Sequence, residues 1–378
     1  SNVADQNNVN CFGTSTGSAT VSASGGTAPY GFSWNTVPPQ TDATATNLPA
    51  GTWTCTITDA NGCISTLDVT ITQPAALLTS AISGQANVNC FGNSTGSATV
   101  LASGGTAPYG YSWNTLPPQN GTAASNLPAG TWTCSITDAN GCISTRNVTI
   151  TQPAAPLSSA IGGQMNVNCF GGSTGSSFVS VSGGTSPYSF NWDTSPVQAG
   201  TSASNLPAGA WTCTISDAMG CTTASAVTIT QPSAPLSSSV TAQTNAGCFG
   251  NATGSATMNA SGGTAPYVFL WNSTPATSGA MANNLPAGNW TCTITDANGC
   301  TTSGNASISQ PAAALSLGAN ITSASCGGAS NGAIDADITG GTSPYSITWS
   351  GPGGFASSNA DISAWSAGIY ALSVSDAN

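Results

Sequence analysis

The sequence predicts an all-β chain, a tandem array of Ig-like or fibronectin-like antiparallel β-sandwich repeats of about 79 residues. Three observations carry this. Cys11, Cys90, Cys169, Cys248 and Cys326 recur at spacings of 79, 79, 79 and 78 residues, which leaves no room for variable linkers. The stretch Gly51 to Cys63, GTWTCTITDANGC, returns at Gly130 to Cys142, Gly209 to Cys221 and Gly288 to Cys300. Within it Trp53, Cys55 and Ile57 alternate with Thr54, Thr56 and Thr58, the period of a strand with one buried and one wet face. No heptad, helical period or long charged run competes with that pattern.

Each copy runs through the same events. In the first, Asn10-Cys11-Phe12-Gly13 is followed by a polar turn, and Gly17 to Ser24 alternates small and apolar residues as a strand. Gly25-Gly26-Thr27-Ala28-Pro29 breaks it, and Tyr30, Phe32 and Trp34 place three aromatics on one face of the next strand. Val37 to Asn47 reads as loop with one short strand, and Leu48-Pro49-Ala50-Gly51 leads into the repeated stretch. There Asp59 suits the first position of a type I turn and Gly62 supplies the positive φ that ends it, so Cys63 opens the return strand of a hairpin. That strand ends at Gln73-Pro74. About seven short strands per copy are expected. Proline at 74, 153, 232 and 311 sets the boundaries: repeats span 1–74, 75–153, 154–232, 233–311 and 312–378. Aligned on the cysteines, Ser1 falls inside a first strand and Asn378 stops two residues short of a Gly-Cys, so both ends are expected to be cut mid-repeat.

Composition excludes much chemistry. All 12 acidic residues are Asp; there is no Glu, His or Lys, and Arg146 is the single basic residue. General acid–base work and activated nucleophiles draw on the missing types, so the chain is read as no enzyme and as needing no cofactor. A net charge of −11 disfavours nucleic acid and anionic membrane surfaces, and no apolar run is long enough to insert in a bilayer. Thirteen cysteines at fixed spacings, with Ser, Thr, Gly and Asn in place of charge, point to an extracellular, oxidising setting.

The cysteines are assigned by comparing the copies. In the fifth, Tyr370, Leu372 and Val374 take the places of Trp53, Cys55 and Ile57. A cysteine replaceable by Leu is acting as a small apolar residue, so Cys55, Cys134, Cys213 and Cys292 are expected as buried thiols. First and third cysteines then pair within each repeat: Cys11 with Cys63, Cys90 with Cys142, Cys169 with Cys221 and Cys248 with Cys300, leaving Cys326 for a cysteine beyond Asn378. The competing pair Cys55 with Cys63 fits the turn register poorly.

Other candidate sites weigh toward structure. Asp59-Ala60-Asn61-Gly62 faintly resembles a calcium loop, but the third copy reads Asp217-Ala218-Met219-Gly220, and Met does not ligate a hard cation. The aromatics are expected in the core, with Trp53 standing where a tyrosine corner has Tyr; Trp365 is the expected exposed exception. The absence of Lys leaves sheet edges without their usual protection. Two devices are expected to replace it: glycans, including sequons at Asn93, Asn147 and Asn272, or lateral self-association into fibres.

The sequence N-x-x-C-F-G-x-x-T-G-S-A, then G-G-T-x-P-Y-x-x-x-W, N-L-P-A-G-x-W-x-C-x-I-x-D-A-N-G-C and V-T-I-T-Q-P resembles the SprB-type repeat of Bacteroidetes cell-surface adhesins. The resemblance covers nearly the whole chain and weakens in the fifth copy. It implies long cell-surface filaments exported by the type IX secretion system, carried by the gliding machinery in gliding bacteria, and gives no catalytic residue to transfer. The function expected is the structural repeat region of an extracellular adhesin or filament, giving reach, stiffness and surface attachment. Neighbouring repeats of the chain and surface polysaccharide are its expected partners. The alternative is a carbohydrate-binding array attached to a secreted enzyme.

Overall fold

A computed structural model describes residues 1–378, and its regular structure is β apart from one 3₁₀ turn at Pro352–Gly354. The first repeat sets the pattern with β1 (Asn2–Asn7), β2 (Gly17–Ser22), β3 (Gly31–Trp34), β4 (Thr44–Leu48), β5 (Gly51–Thr58) and β6 (Ile64–Ile71). Two antiparallel three-stranded sheets form, ordered β1-β2-β4 and β3-β5-β6. Six strands therefore replace the expected seven. The one short strand expected within Val37 to Asn47 is β4, and none forms at Val37-Pro38-Pro39, where proline has no N–H to give a ladder. That segment is held by side chains instead: Thr36 Oγ1 donates to Pro38 O and accepts from Gln40 N, while the Gln40 amide pairs with Thr46 N and O. In the fourth repeat, where Ala276 and Thr277 follow a single proline, a two-residue strand Thr277–Ser278 does form.

The period-two patterns resolve into a sandwich. From one sheet Ala19, Val21, Ala45 and Leu48 face Trp34, Cys55, Ile57, Val69 and Ile71 of the other. Trp34 is 1% exposed and its indole N–H donates to Asp42 O, so burial leaves no donor unpaired. Tyr30, Phe32 and Trp53 pack against this core, and the Trp53 indole bonds back to Pro49 O as the tyrosine-corner analogy implies. Gly17 is required where the sheets close: a Cβ there would lie 2.6 Å from the Ile71 methyl and 2.7 Å from Leu48 O. Asn47 of the Asn-Leu-Pro motif sits at φ 57°, inside the bulge that separates the Ala19–Ala45 pair from the Gly17–Leu48 pair. Asn is the side chain that best tolerates this conformation.

The chain forms two compact units. One comprises Ser1–Ala160, Ser180–Asn191 and Cys213–Ser225, and contains the first and second repeats. The other comprises Ile161–Val179, Trp192–Thr212 and Ala226–Asn378, and contains the fourth and fifth. The second repeat repeats the first around Val100, Trp113, Leu127, Ile136 and Ile150, the fourth around Met258, Trp271, Leu285, Ile294 and Ile308. The fifth has a smaller buried cluster, Ala336, Trp349 and Ile362. Trp365 is not the exposed exception expected: it is half-buried, with ring centroids 4.0 Å from Phe355 and 6.3 Å from Tyr370.

Candidate functional site: the joint between repeats

The cysteine pairing within repeats is overturned. The disulfides are Cys11–Cys142, Cys90–Cys221 and Cys169–Cys300, each joining the first cysteine of one repeat to the third of the next. The reason lies in the sandwich. Val9 N donates to Thr72 O, so the Cys11 loop lies beside the far end of β6, whereas Cys63 precedes its near end. Eight residues of strand separate the two by roughly 25 Å, well beyond disulfide reach. The third cysteine of the following repeat arrives instead, with Cα–Cα distances of 5.7 Å in all three bridges. Cys63, Cys248, and Cys326 are exposed and outside these bridges. The middle cysteines Cys55, Cys134, Cys213 and Cys292 are buried in the cores.

Four sequence motifs converge on each joint. The Cys142 side is built by Asp138, whose carboxylate accepts Thr106 N, Asn140 N and Cys142 N at 2.9 Å each. Burial tends to raise the Asp138 pKa, but the N–H groups of Cys142, Thr106 and Asn140 outweigh it and hold the carboxyl below its usual range. Asp217 and Asp296 are lowered by the same balance, and Asp59 chiefly by the N–H of Thr27. The turn thus spends its carboxylate on backbone donors. It then presents Asn140, whose Nδ2 donates to Asn10 O across the joint at 3.0 Å, beside the bridge to Cys11. Asn298 does the same to Asn168 O at the third bridge; Met219 cannot at the second.

The Cys11 side is held by the Gln-Pro tail: Gln73 Oε1 accepts Gly13 N, and Asn8 Oδ1 accepts Thr72 N. Gln152, Gln231 and Gln310 repeat the first bond. The linker that follows is structural as well. Ala76 O accepts Gly105 N, and Leu78 enters the core of the second repeat at 6% exposure. Gly104, at φ +72°, is demanded here because a Cβ would lie 2.0 Å from Leu77 O. The Gly-Gly-Thr motif is therefore a seat for the preceding linker. Sequence reading missed this joint, although one signal was present: Leu78, Leu157, Leu236 and Leu315, an apolar residue at constant 79-residue spacing in a linker.

The middle thiols are chemically quiet. Burial raises the pKa of Cys55, Cys134 and Cys292, only partly offset by hydrogen bonds with the backbone of Ser33, Ser112 and Leu270. Of the sequon residues, Asn93 is exposed, Asn147 Oδ1 accepts the Thr133 hydroxyl and Asn272 Oδ1 accepts Thr291 N.

Fold and joint together define a tandem array of Ig-like sandwiches cross-linked from one repeat to the next. The SprB repeat family model matches five times along the chain, at residues 3–38, 83–117, 162–197, 240–275 and 318–354. Among solved structures, the N-terminal eight Ig domains of Down syndrome cell adhesion molecule are 10% identical with a TM-score of 0.25, over 86% of this chain and 61% of that one. This chain thus spans less than two thirds of that structure. A tetra-tandem repeat from the extending region of a large adhesion protein is 15% identical with a TM-score of 0.28, over 78% of this chain and 96% of that one. No curated protein matches the chain.

Proposed function

We propose that this chain is the load-bearing repeat region of a long extracellular surface adhesin or filament, giving reach and stiffness and serving surface attachment. The observation that carries the reading is the covalent joint: each of three bridges spans 131 residues and ties one repeat to its successor. Bridges within repeats would stabilise each module alone, whereas bridges between repeats resist separation of neighbours. On the chain-entropy estimate, closing a loop of that length contributes about 5 kcal/mol. The proposed setting is oxidising and outside the cell; export by type IX secretion and carriage by gliding machinery belong to the same proposal, and the five SprB repeat matches support it. Glycans at Asn93, Asn147 and Asn272, or lateral packing into fibres, shield the Lys-free sheet edges.

The reading is favoured over a carbohydrate-binding array because Trp34, Trp113 and Trp271 are buried at 1% exposure. Aromatics spent on cores do not stack on sugars. Immunogold labelling of unpermeabilised cells tests the proposal. Label on threads projecting from the surface is expected; label confined to the cell interior refutes it.

A further inference from the structure

The third repeat departs from the others on the outer face of one sheet. Strands Ser158–Met165, Gly175–Ser182 and Ser202–Leu206 lie side by side there, with Gly175, Ser177 and Val179 buried and Ser176 and Phe178 on the opposite face. Phe178 stands where the first, second and fourth repeats have Thr20, Thr99 and Thr257, and Gly162 where they have Ala4, Ser83 and Thr241. The two changes fit each other. A Cβ on Gly162 would lie 2.2 Å from the Phe178 ring and one on Gly163 2.8 Å from it, so the ring rests on backbone that only glycine leaves bare. Phe178 is nonetheless 50% exposed, and Met165, on the neighbouring strand, 63% exposed.

The same changes release hydroxyl groups. In the first repeat the hydroxyls of Thr20 and Thr44 hydrogen-bond at 2.9 Å, and the Ser18 hydroxyl accepts Asn7 Nδ2. In the fourth, the hydroxyls of Ser255 and Thr244 bond at 2.6 Å. The third repeat has Phe178 in place of Thr20, and Met165 in place of Asn7 and Thr244. Ser202, opposite Phe178, and Ser176 therefore keep their hydroxyls and lose these partners. Ser204 adds another hydroxyl and Gln164 a fixed acceptor, because Gln164 Nε2 donates to Asn166 Oδ1 and Thr228 O and leaves Oε1 to accept. With Phe178 and Met165 these groups line a hollow of about 450 Å³, the size of a small-molecule site. All of them belong to the unit that holds Ile161–Val179 and Trp192–Thr212.

We propose that this hollow is a saccharide-binding subsite whose ligand is a neutral hexopyranose, its C–H face laid on the Phe178 ring. An aromatic floor edged by hydroxyl and amide groups, each hydroxyl able to donate and accept, matches a sugar ring with an apolar face and a rim of hydroxyls. Charge excludes the other stacking ligands. A nucleotide brings phosphate, and a uronic or sulfated sugar brings anionic groups, whereas the chain's single basic residue, Arg146, lies in another repeat and the net charge is −11. Trp192 of the same repeat is spent on the core at 0% exposure; Phe178 is not. One subsite in one repeat is no array. It gives the surface attachment of the proposed function a ligand class and rests on that reading for its role. Binding by the purified chain and label on the cell surface are separate readouts, so either can fail alone.

Methyl NMR tests the assignment in the full chain, which holds four methionines. Met165 lines the hollow, Met219 lies in a joint and Met258 in the fourth repeat's core. Met281 is exposed opposite Thr257 on the equivalent sheet of the fourth repeat, in the place that Ser202 takes opposite Phe178. With the methionine methyls labelled and cellohexaose titrated in, the Met165 signal is expected to shift saturably while the other three stay in place. Phe178→Thr installs the residue that three other copies carry. It is expected to weaken binding by about tenfold or more, the scale on which loss of one stacking aromatic acts, with the other methyl signals unchanged. Carrying Ser83→Gly, Ala86→Met, Thr99→Phe and Ala123→Ser into the second repeat is expected to add a further methyl signal that shifts with the same sugar. No shift of Met165, equal shifts of Met165 and Met281, undiminished affinity in Phe178→Thr, or an equal response to oligogalacturonate would overturn the proposal. Self-association that Phe178→Thr abolishes and cellohexaose leaves intact would give the face to a second copy, and would overturn it likewise.

Discussion

Pulling the chain between Ser1 and Asn378, with and without reductant, reads the bridge pattern directly. Cys11 and Cys300 are 289 residue steps apart, and with the bridges reduced all of them extend. With the bridges closed, the shortest covalent route crosses Cys11–Cys142, follows the chain for 27 steps to Cys169 and crosses Cys169–Cys300. At about 3.5 Å per residue that route is roughly 95 Å, against roughly 1,000 Å when reduced. Once every repeat has unfolded, reduction should therefore release about 900 Å of contour in single-molecule force spectroscopy. Bridges within repeats would behave differently. They would leave the three linkers Cys63 to Cys90, Cys142 to Cys169 and Cys221 to Cys248 extensible, about 280 Å in total. An oxidised contour near that value, or one that reductant does not change, refutes the inter-repeat reading.

Other perturbations act on the same parts. Native chain treated with a thiol reagent should label at Cys63, Cys248 and Cys326 within minutes and at Cys55, Cys134 and Cys292 only on unfolding; early labelling of Cys134 would contradict its burial in the core. The turn carboxylates of Asp59, Asp138, Asp217 and Asp296 have folded pKa values below the unfolded one. Their contribution is thus complete above the unfolded value of about 3.9 and is lost as pH falls through the folded values. The melting temperature should drop below about pH 4, and should do so less steeply when these residues are Asn. Leu78→Ala empties a site in the second repeat's core and should cost about 2–5 kcal/mol in denaturant unfolding. A loss under about 1 kcal/mol would mean the linker leucine does not seal the joint.

The alternation of Trp53, Cys55 and Ile57 with threonines, and the aromatic run Tyr30, Phe32 and Trp34, made the strands and most of the core legible, because inward and outward positions are local properties of a strand. Leu372 in the place of Cys55 marked the middle cysteines as core correctly. The bridge pattern was not legible. Whether Cys11 meets Cys63 or Cys142 depends on which end of the sandwich each occupies, and so on strand direction and sheet order, which periodicity does not encode. A constant repeat length makes both pairings equally regular in sequence. The short strand expected between Val37 and Asn47 forms at the end of that segment, as Thr44–Leu48, because Val37-Pro38-Pro39 cannot give a ladder. Trp365 was misplaced because its partner Phe355 stands in a segment where the other copies carry no aromatic residue.

Arg146 gives the central claim its most direct test. It is exposed on the strand Ile143–Ile150 and is the single trypsin site in the chain. Cys11–Cys142 lies wholly before the cut and Cys169–Cys300 wholly after it, so only Cys90–Cys221 spans it. Trypsin digestion of the unfolded, unreduced chain should leave one covalent species of 36.9 kDa on a denaturing gel. Reductant should split it into pieces ending and beginning at Arg146 and Asn147. Two pieces already present without reductant would mean that Cys90 is not joined to Cys221, and the joint as described would be wrong.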